Sequence, residues 1–67
     1  MWSDVLRFEF RNKRETREFK RFLSRHRIPR ITRREILGKP CILEIQIPET
    51  KELLVKLFYK CLVRVRV

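Results

Sequence analysis

The hydrophobic period of this chain switches repeatedly between two and 3.6 residues, and each switch limits the local backbone to one kind of element. In VLRFEFR, residues 5–11, Leu6, Phe8 and Phe10 fall on one side and Arg7, Glu9 and Arg11 on the other, the pattern of a half-buried strand. From Asn12 the period lengthens. Asn12 with Glu15 three residues on forms a capping-box pattern, and Phe19, Phe22, Leu23 and His26 recur at helical spacing. Pro29 ends that helix at or before Ile28. The segment ITRREILGKPCILEIQI, residues 31–47, reads as a hairpin turning at Gly38-Lys39, with Gly at the first central position of a type II′ turn. That register sets Arg33 opposite Glu44 and Glu35 opposite Ile42, and the second arm buries Cys41, Leu43, Ile45 and Ile47. Pro48 suits a first helical position, and Leu53, Leu54, Leu57, Phe58, Cys61 and Leu62 form one apolar stripe on a second helix. The closing VRVRV alternates strictly, as an edge strand does.

The predicted order is β-α-β-β-α-β within a single small basic α+β domain spanning 1–67. An internal echo supports it: ETREF at 15–19 returns as ETKEL at 49–53, an offset of 34 residues, each time after a strand. The pattern resembles the ferredoxin-like split βαβ fold. The resemblance implies a four-stranded antiparallel sheet with two helices on one face, strands one and three central and strands two and four at the edges. At 67 residues there is no room for a second core.

Charge narrows the function. Eighteen Lys and Arg oppose eight Asp and Glu, for a net charge of +10. Residues 1–39 hold thirteen cations against five acids, and residues 40–67 hold five against three. Twelve of the cations are Arg, whose planar fork grips phosphate and stacks on bases. A charge-dense chain with one Gly also fits a thermophile protein laced with surface ion pairs, but that reading expects charge balance. An excess of this size opposes compaction until a polyanion lies against it.

The cations are also ordered in space. At about 100° per residue, Arg14, Arg17, Arg21 and Arg25 lie within roughly 80° of one another, opposite the Phe19/Phe22/Leu23/His26 face. Arg27, Arg30, Arg33 and Arg34 continue the series through SRHRIPRITRR, residues 24–34, which contains no acid. These eight residues are the candidate nucleic-acid-binding set. RNA is the expected partner, DNA the second, and the expected setting is a cytoplasmic ribosomal protein or other ribonucleoprotein component. The aromatic sheet platform and the Lys/Arg-Gly-Phe/Tyr signature of RNA-recognition-motif domains are not expected here, because Phe8 and Phe10 share the core side with Leu6.

An enzyme is not expected. The chain offers one histidine, no Gly-rich phosphate loop, no Cys-x-x-Cys and no nucleophile beside a base, so no catalytic residue, cofactor, metal or small-molecule substrate is assigned. The N-terminus shows no secretory signal, and LLVKLFYKCLV is interrupted by Lys56 and Lys60, so no membrane partner is expected. Cys41 and Cys61 are expected as neighbouring core thiols. The alternative function is a homo-oligomeric interaction module of a regulator or viral protein, pairing as a homodimer through its mixed-charge open sheet face or edge strands.

Overall fold

The alternating residues Val5–Phe10 form β1, and the apolar side of that alternation decides the layer on which the domain is built. A computed structural model describes residues 1–59 and the backbone of 63–65. β1 pairs antiparallel with β3 (Cys41–Gln46), setting Leu6 beside Ile45, Phe8 beside Leu43 and Phe10 beside Cys41. These side chains therefore share one face. On it rest Phe19, Phe22 and Leu23 of α1 (Lys13–Arg25), Val55 of α2 (Glu49–Phe58), and Ile28 and Ile47 from the segments after α1 and β3. β2 (Ile31–Ile36) flanks β3 and is solvated along most of its length. Among the described residues no helix is long and apolar enough to cross a membrane.

Both ends of α1 are built by local rules. Asn12 is extended, and its Oδ1 accepts from the Glu15 N–H at 3.0 Å. Glu15 Oε1 in turn accepts from the Arg11 N–H at 2.7 Å, one residue earlier than a capping box requires. At the other end the Ile28 N–H donates to the Leu23 carbonyl at 2.8 Å and the Arg27 N–H to the Ser24 carbonyl at 3.1 Å. This is a Schellman stop, completed by the apolar contact expected of the buried pair Leu23 and Ile28. Its left-handed position is normally glycine. Here it is Arg27, at φ 53°.

The expected four-stranded, ferredoxin-like sheet is corrected by the second half of the chain. The antiparallel sheet that bears the core has three strands in the order β1-β3-β2, and with its two helices it makes a small α+β domain. Beyond them, β4 (Val63–Val65) pairs antiparallel along β1 among the described residues. The second βαβ copy does not repeat the first. Phe19 and Leu23 are buried in α1, but Leu53 and Leu57, which stand 34 residues later, are 72% and 71% exposed. α2 docks by Val55, which lies about 160° around the helix from both of those leucines. The helix stops at Phe58, because Tyr59 turns extended at φ −135° and ψ 131°. The expected stripe is thus cut short, and Cys61 and Leu62, like Arg66 of the closing alternation, lie outside the described residues.

The hairpin is also corrected. Its loop is the four residues Leu37–Pro40, with a cis Lys39–Pro40 bond, and Gly38 does not take a positive φ. The longer loop pairs Arg34 with Glu44 and Glu35 with Leu43, one residue away from the expected register. A bulge between Thr32 and Arg34 absorbs the extra residue, so Ile31 and Thr32 return to Gln46 and Ile45.

Three substitutions test this packing by urea denaturation followed by circular dichroism. Phe19→Ala should cost about 3–5 kcal/mol and leave so small a domain largely unfolded. Leu53→Ala and Leu57→Ala should each stay within about 0.5 kcal/mol of the parent. Arg27→Gly should raise stability by about 1 kcal/mol, because glycine adopts the left-handed position without a Cβ penalty.

Candidate nucleic-acid interface

With Thr16, Phe19, Phe22 and Leu23 turned into the core, the remaining positions of α1 face water, and Arg14, Arg17, Arg21 and Arg25 are all exposed. From Arg14 to Arg25 the ridge runs about 16 Å along the helix axis, at 1.5 Å per residue. Only Arg14 has an acidic partner, Glu18 at 3.7 Å, among the described residues. Arg17, Arg21 and Arg25 line a shallow groove with Lys20 and Ser24, and Arg14, Arg17, Glu18 and Arg21 line a second one beside it. Lys20 and Ser24 were not singled out from the sequence, although the same count of about 100° per residue sets them on the flank of the ridge.

The helix's own field does not account for this arrangement. A helix C-terminus favours cations, so Arg25 in the last turn and Arg27 just beyond it are stabilised where they stand. The N-terminus disfavours them. Lys13 and Arg14 occupy the first turn regardless, with Glu15 as the acid there. Arg17, Arg21 and Arg25 follow one another at intervals of four residues, a spacing at which like charges repel by a few tenths of a kcal/mol per pair.

The remaining predicted residues divide into two groups. Arg27 and Arg30 are exposed in the turn that follows α1 and have no carboxylate at salt-bridge distance among the described residues. Arg33 and Arg34 go elsewhere. Strand alternation turns Glu35 toward α1, where Lys20 Nζ meets its Oε2 at 2.7 Å, and turns Arg34 to the opposite sheet face beside Glu44. Arg33, at the bulge, donates from Nε to Gln46 Oε1 at 2.6 Å. The ridge and the turn thus form one basic surface, and the β2 arginines belong to the open sheet face.

The centre of that open face holds one ion pair. Arg7 Nε lies 2.7 Å from Glu44 Oε2, with the Glu44 side chain only 9% exposed. Val5, two residues before Arg7 on the same strand, is buried. No group of three or more His, Cys, Asp or Glu suited to a metal occurs among the described residues. Cys41 is buried, its thiol donating to the Gly38 carbonyl at 3.3 Å, and its expected neighbour Cys61 is outside the described residues. His26 caps the C-terminus of α1 and is exposed, its ring 4.5 Å from that of Phe22, where the sequence set it on the apolar side.

At the junction of the helices a third groove is lined by Glu18, Arg21, Phe22, Arg25 and Tyr59. The Tyr59 phenol is held above its usual range, first by burial and then by the Glu18 carboxylate, while Arg25 pulls the other way. Arg25 and Glu18 therefore act on the same aromatic site. Comparison with protein-family models, curated proteins and solved structures finds no match to this chain.

Removing Arg7 tests the open face. Arg7→Ala removes the guanidinium paired with Glu44 and should cost about 1–3 kcal/mol, less than for a fully buried pair because a third of Arg7 remains in water. The same denaturation measurement reads it, and no loss of stability would show that the pair does not hold β1 to β3.

Proposed function

We propose that this protein is a non-enzymatic nucleic-acid-binding protein, with RNA as its first partner, acting in the cytoplasm as a ribosomal or other ribonucleoprotein component. The observation that supports the reading is the α1 ridge with its turn. Arg17, Arg21, Arg25, Arg27 and Arg30 form an exposed series with no carboxylate at salt-bridge distance among the described residues, and Glu18 is the one acid in their grooves. Phosphates along a strand would supply the missing counter-charge and relieve the repulsion that the folded domain otherwise bears. Arg33 and Arg34 join this reading only as a second contact on the far side of β2.

The alternative is self-association through the open sheet face, and its support is the Arg7–Glu44 pair, which removes charge from the centre of that surface. The β2 edge is less suited to pairing, since its bulge and its arginines oppose a flat approach by another strand.

Salt separates the two. For the parent protein, log affinity for single-stranded RNA should fall linearly with log salt. Replacing Arg14, Arg17, Arg21 and Arg25 by Gln should flatten that slope by about three units, at roughly 0.7 per phosphate contact on a single strand, with unchanged circular dichroism. Arg27→Gln with Arg30→Gln should flatten it by about one unit. A parent that binds no nucleic acid at low salt yet sediments as a salt-insensitive dimer would establish the alternative instead.

A further inference from the structure

The side of α2 turned away from the core carries a short apolar row, and the charges beside it are ordered. Val55 is buried, whereas Leu53 and Leu57, about 160° around the helix from it, are 72% and 71% exposed. Exposed Thr50, three residues before Leu53, falls within about 60° of both leucines and completes the row. Thr50, Leu53 and Leu57 thus have the a, d, a spacing of a heptad seam. Fully exposed Met1 stands at the N-terminal end of the helix, its carbonyl accepting the Glu49 N–H at 3.0 Å. One flank of the row bears Glu49 near its start and Lys56 near its end, one heptad apart, or about 10 Å along the axis. Glu49, Lys51, Glu52 and Lys56 leave α2 neutral on a chain whose net charge is +10.

We propose that this side of α2 binds a second copy of the chain, the two helices packing antiparallel about a two-fold axis near Leu53. The argument is charge complementarity. Antiparallel packing brings equivalent flanking positions face to face, so Glu49 meets the partner's Lys56 and Lys56 meets the partner's Glu49. The same register sets Leu53 against the partner's Leu53 and Leu57 over the partner's Thr50. Parallel packing makes no such ion pair, because it turns Glu49 toward the partner's Leu54. It also aligns the two helix dipoles, which antiparallel packing opposes. Glu49 has no cation at salt-bridge distance among the described residues, and Lys56 holds only the exposed i,i+4 contact with Glu52 at 3.4 Å. The excess positive charge of the chain opposes the approach of another copy through α1, whereas α2 meets it with balanced charge. Two leucines a side form a contact smaller than the roughly 800 Å² per partner of a stable complex, so the pairing is weak and depends on concentration. It uses neither the α1 arginines nor the open sheet face, and stands independently of the nucleic-acid reading.

The test is sedimentation equilibrium of the whole protein from about 10 µM to 1 mM, at about 0.15 M salt, where repulsion between the basic surfaces is screened beyond roughly 8 Å. The parent should rise with concentration from its monomer mass of 8.4 kDa toward twice that value. Leu53→Gln with Leu57→Gln should weaken the pairing by at least about tenfold and leave the circular dichroism spectrum unchanged, since both side chains are largely in water. Should that variant disturb the spectrum, Leu53→Ala with Leu57→Ala takes its place with the same expected loss. Glu49→Lys and Lys56→Glu should each weaken the pairing by about 3- to 10-fold, and the two together should restore most of the loss. A parent that remains a monomer at 1 mM overturns the proposal and leaves this side of α2 to another occupant. A dimer that the leucine substitutions leave intact also overturns it and moves the pairing to the open sheet face or an edge strand. Charge reversals that have no effect singly, or that add instead of compensating, overturn the antiparallel arrangement.

Discussion

The contact between Phe8 of β1 and Phe19 of α1, ring centroids 4.7 Å apart, ties the helix to the sheet, and the rest of the molecule is arranged around it. Phe19 also meets Phe10 at 5.3 Å and Tyr59 at 4.7 Å, so one buried ring gathers the end of β1 and the end of α2. A helix has two sides. Once Phe19, Phe22 and Leu23 are committed to the core, the Arg ridge has no orientation left except outward. The like-charge repulsion along that ridge is a few tenths of a kcal/mol per pair, well below the several kcal/mol gained by burying the aromatic side, so the fold tolerates it.

The stop at the end of α1 links this packing to the basic turn. Leu23 and Ile28 clasp the last turn from inside while Arg27 takes the left-handed position outside. A glycine there would suit the backbone better. An arginine adds a cation where the helix dipole favours one and where the ridge can continue into the turn before Pro29 and Arg30. The local backbone cost and the surface charge therefore meet at one residue.

The two helices differ in kind. α1 is strongly two-sided, with aromatic core and cationic surface, whereas α2 carries apolar residues around much of its circumference and balances Glu49 and Glu52 against Lys51 and Lys56. The N-terminal arm helps fix where α2 starts: the Glu49 N–H donates to the Met1 carbonyl at 3.0 Å, and Trp2 bridges to Pro48. Val55 is then buried in the core, with Leu54 packed against it. Leu53 and Leu57 are left outside, and Phe58 stands exposed beside Phe22.

The order of elements, the Asn12 cap, the end of α1 before Pro29, the core side of β1 and β3 and the exposed Arg ridge were all determined by the sequence alone. Each depends on which residues lie two, three or four positions apart, and such neighbours share a face whatever the rest of the chain does. Tertiary structure decided what local spacing leaves degenerate. The four-residue loop and the bulge chose the hairpin register and thereby turned Arg34 away from α1 and Glu35 toward it, an outcome set by two distant strands meeting across a one-residue offset. Docking chose which apolar side of α2 is buried, because a helix with leucines on several sides has no single inward face until a partner is supplied. From that choice followed the break with the internal repeat and the exposure of Leu53, Leu57 and Phe58.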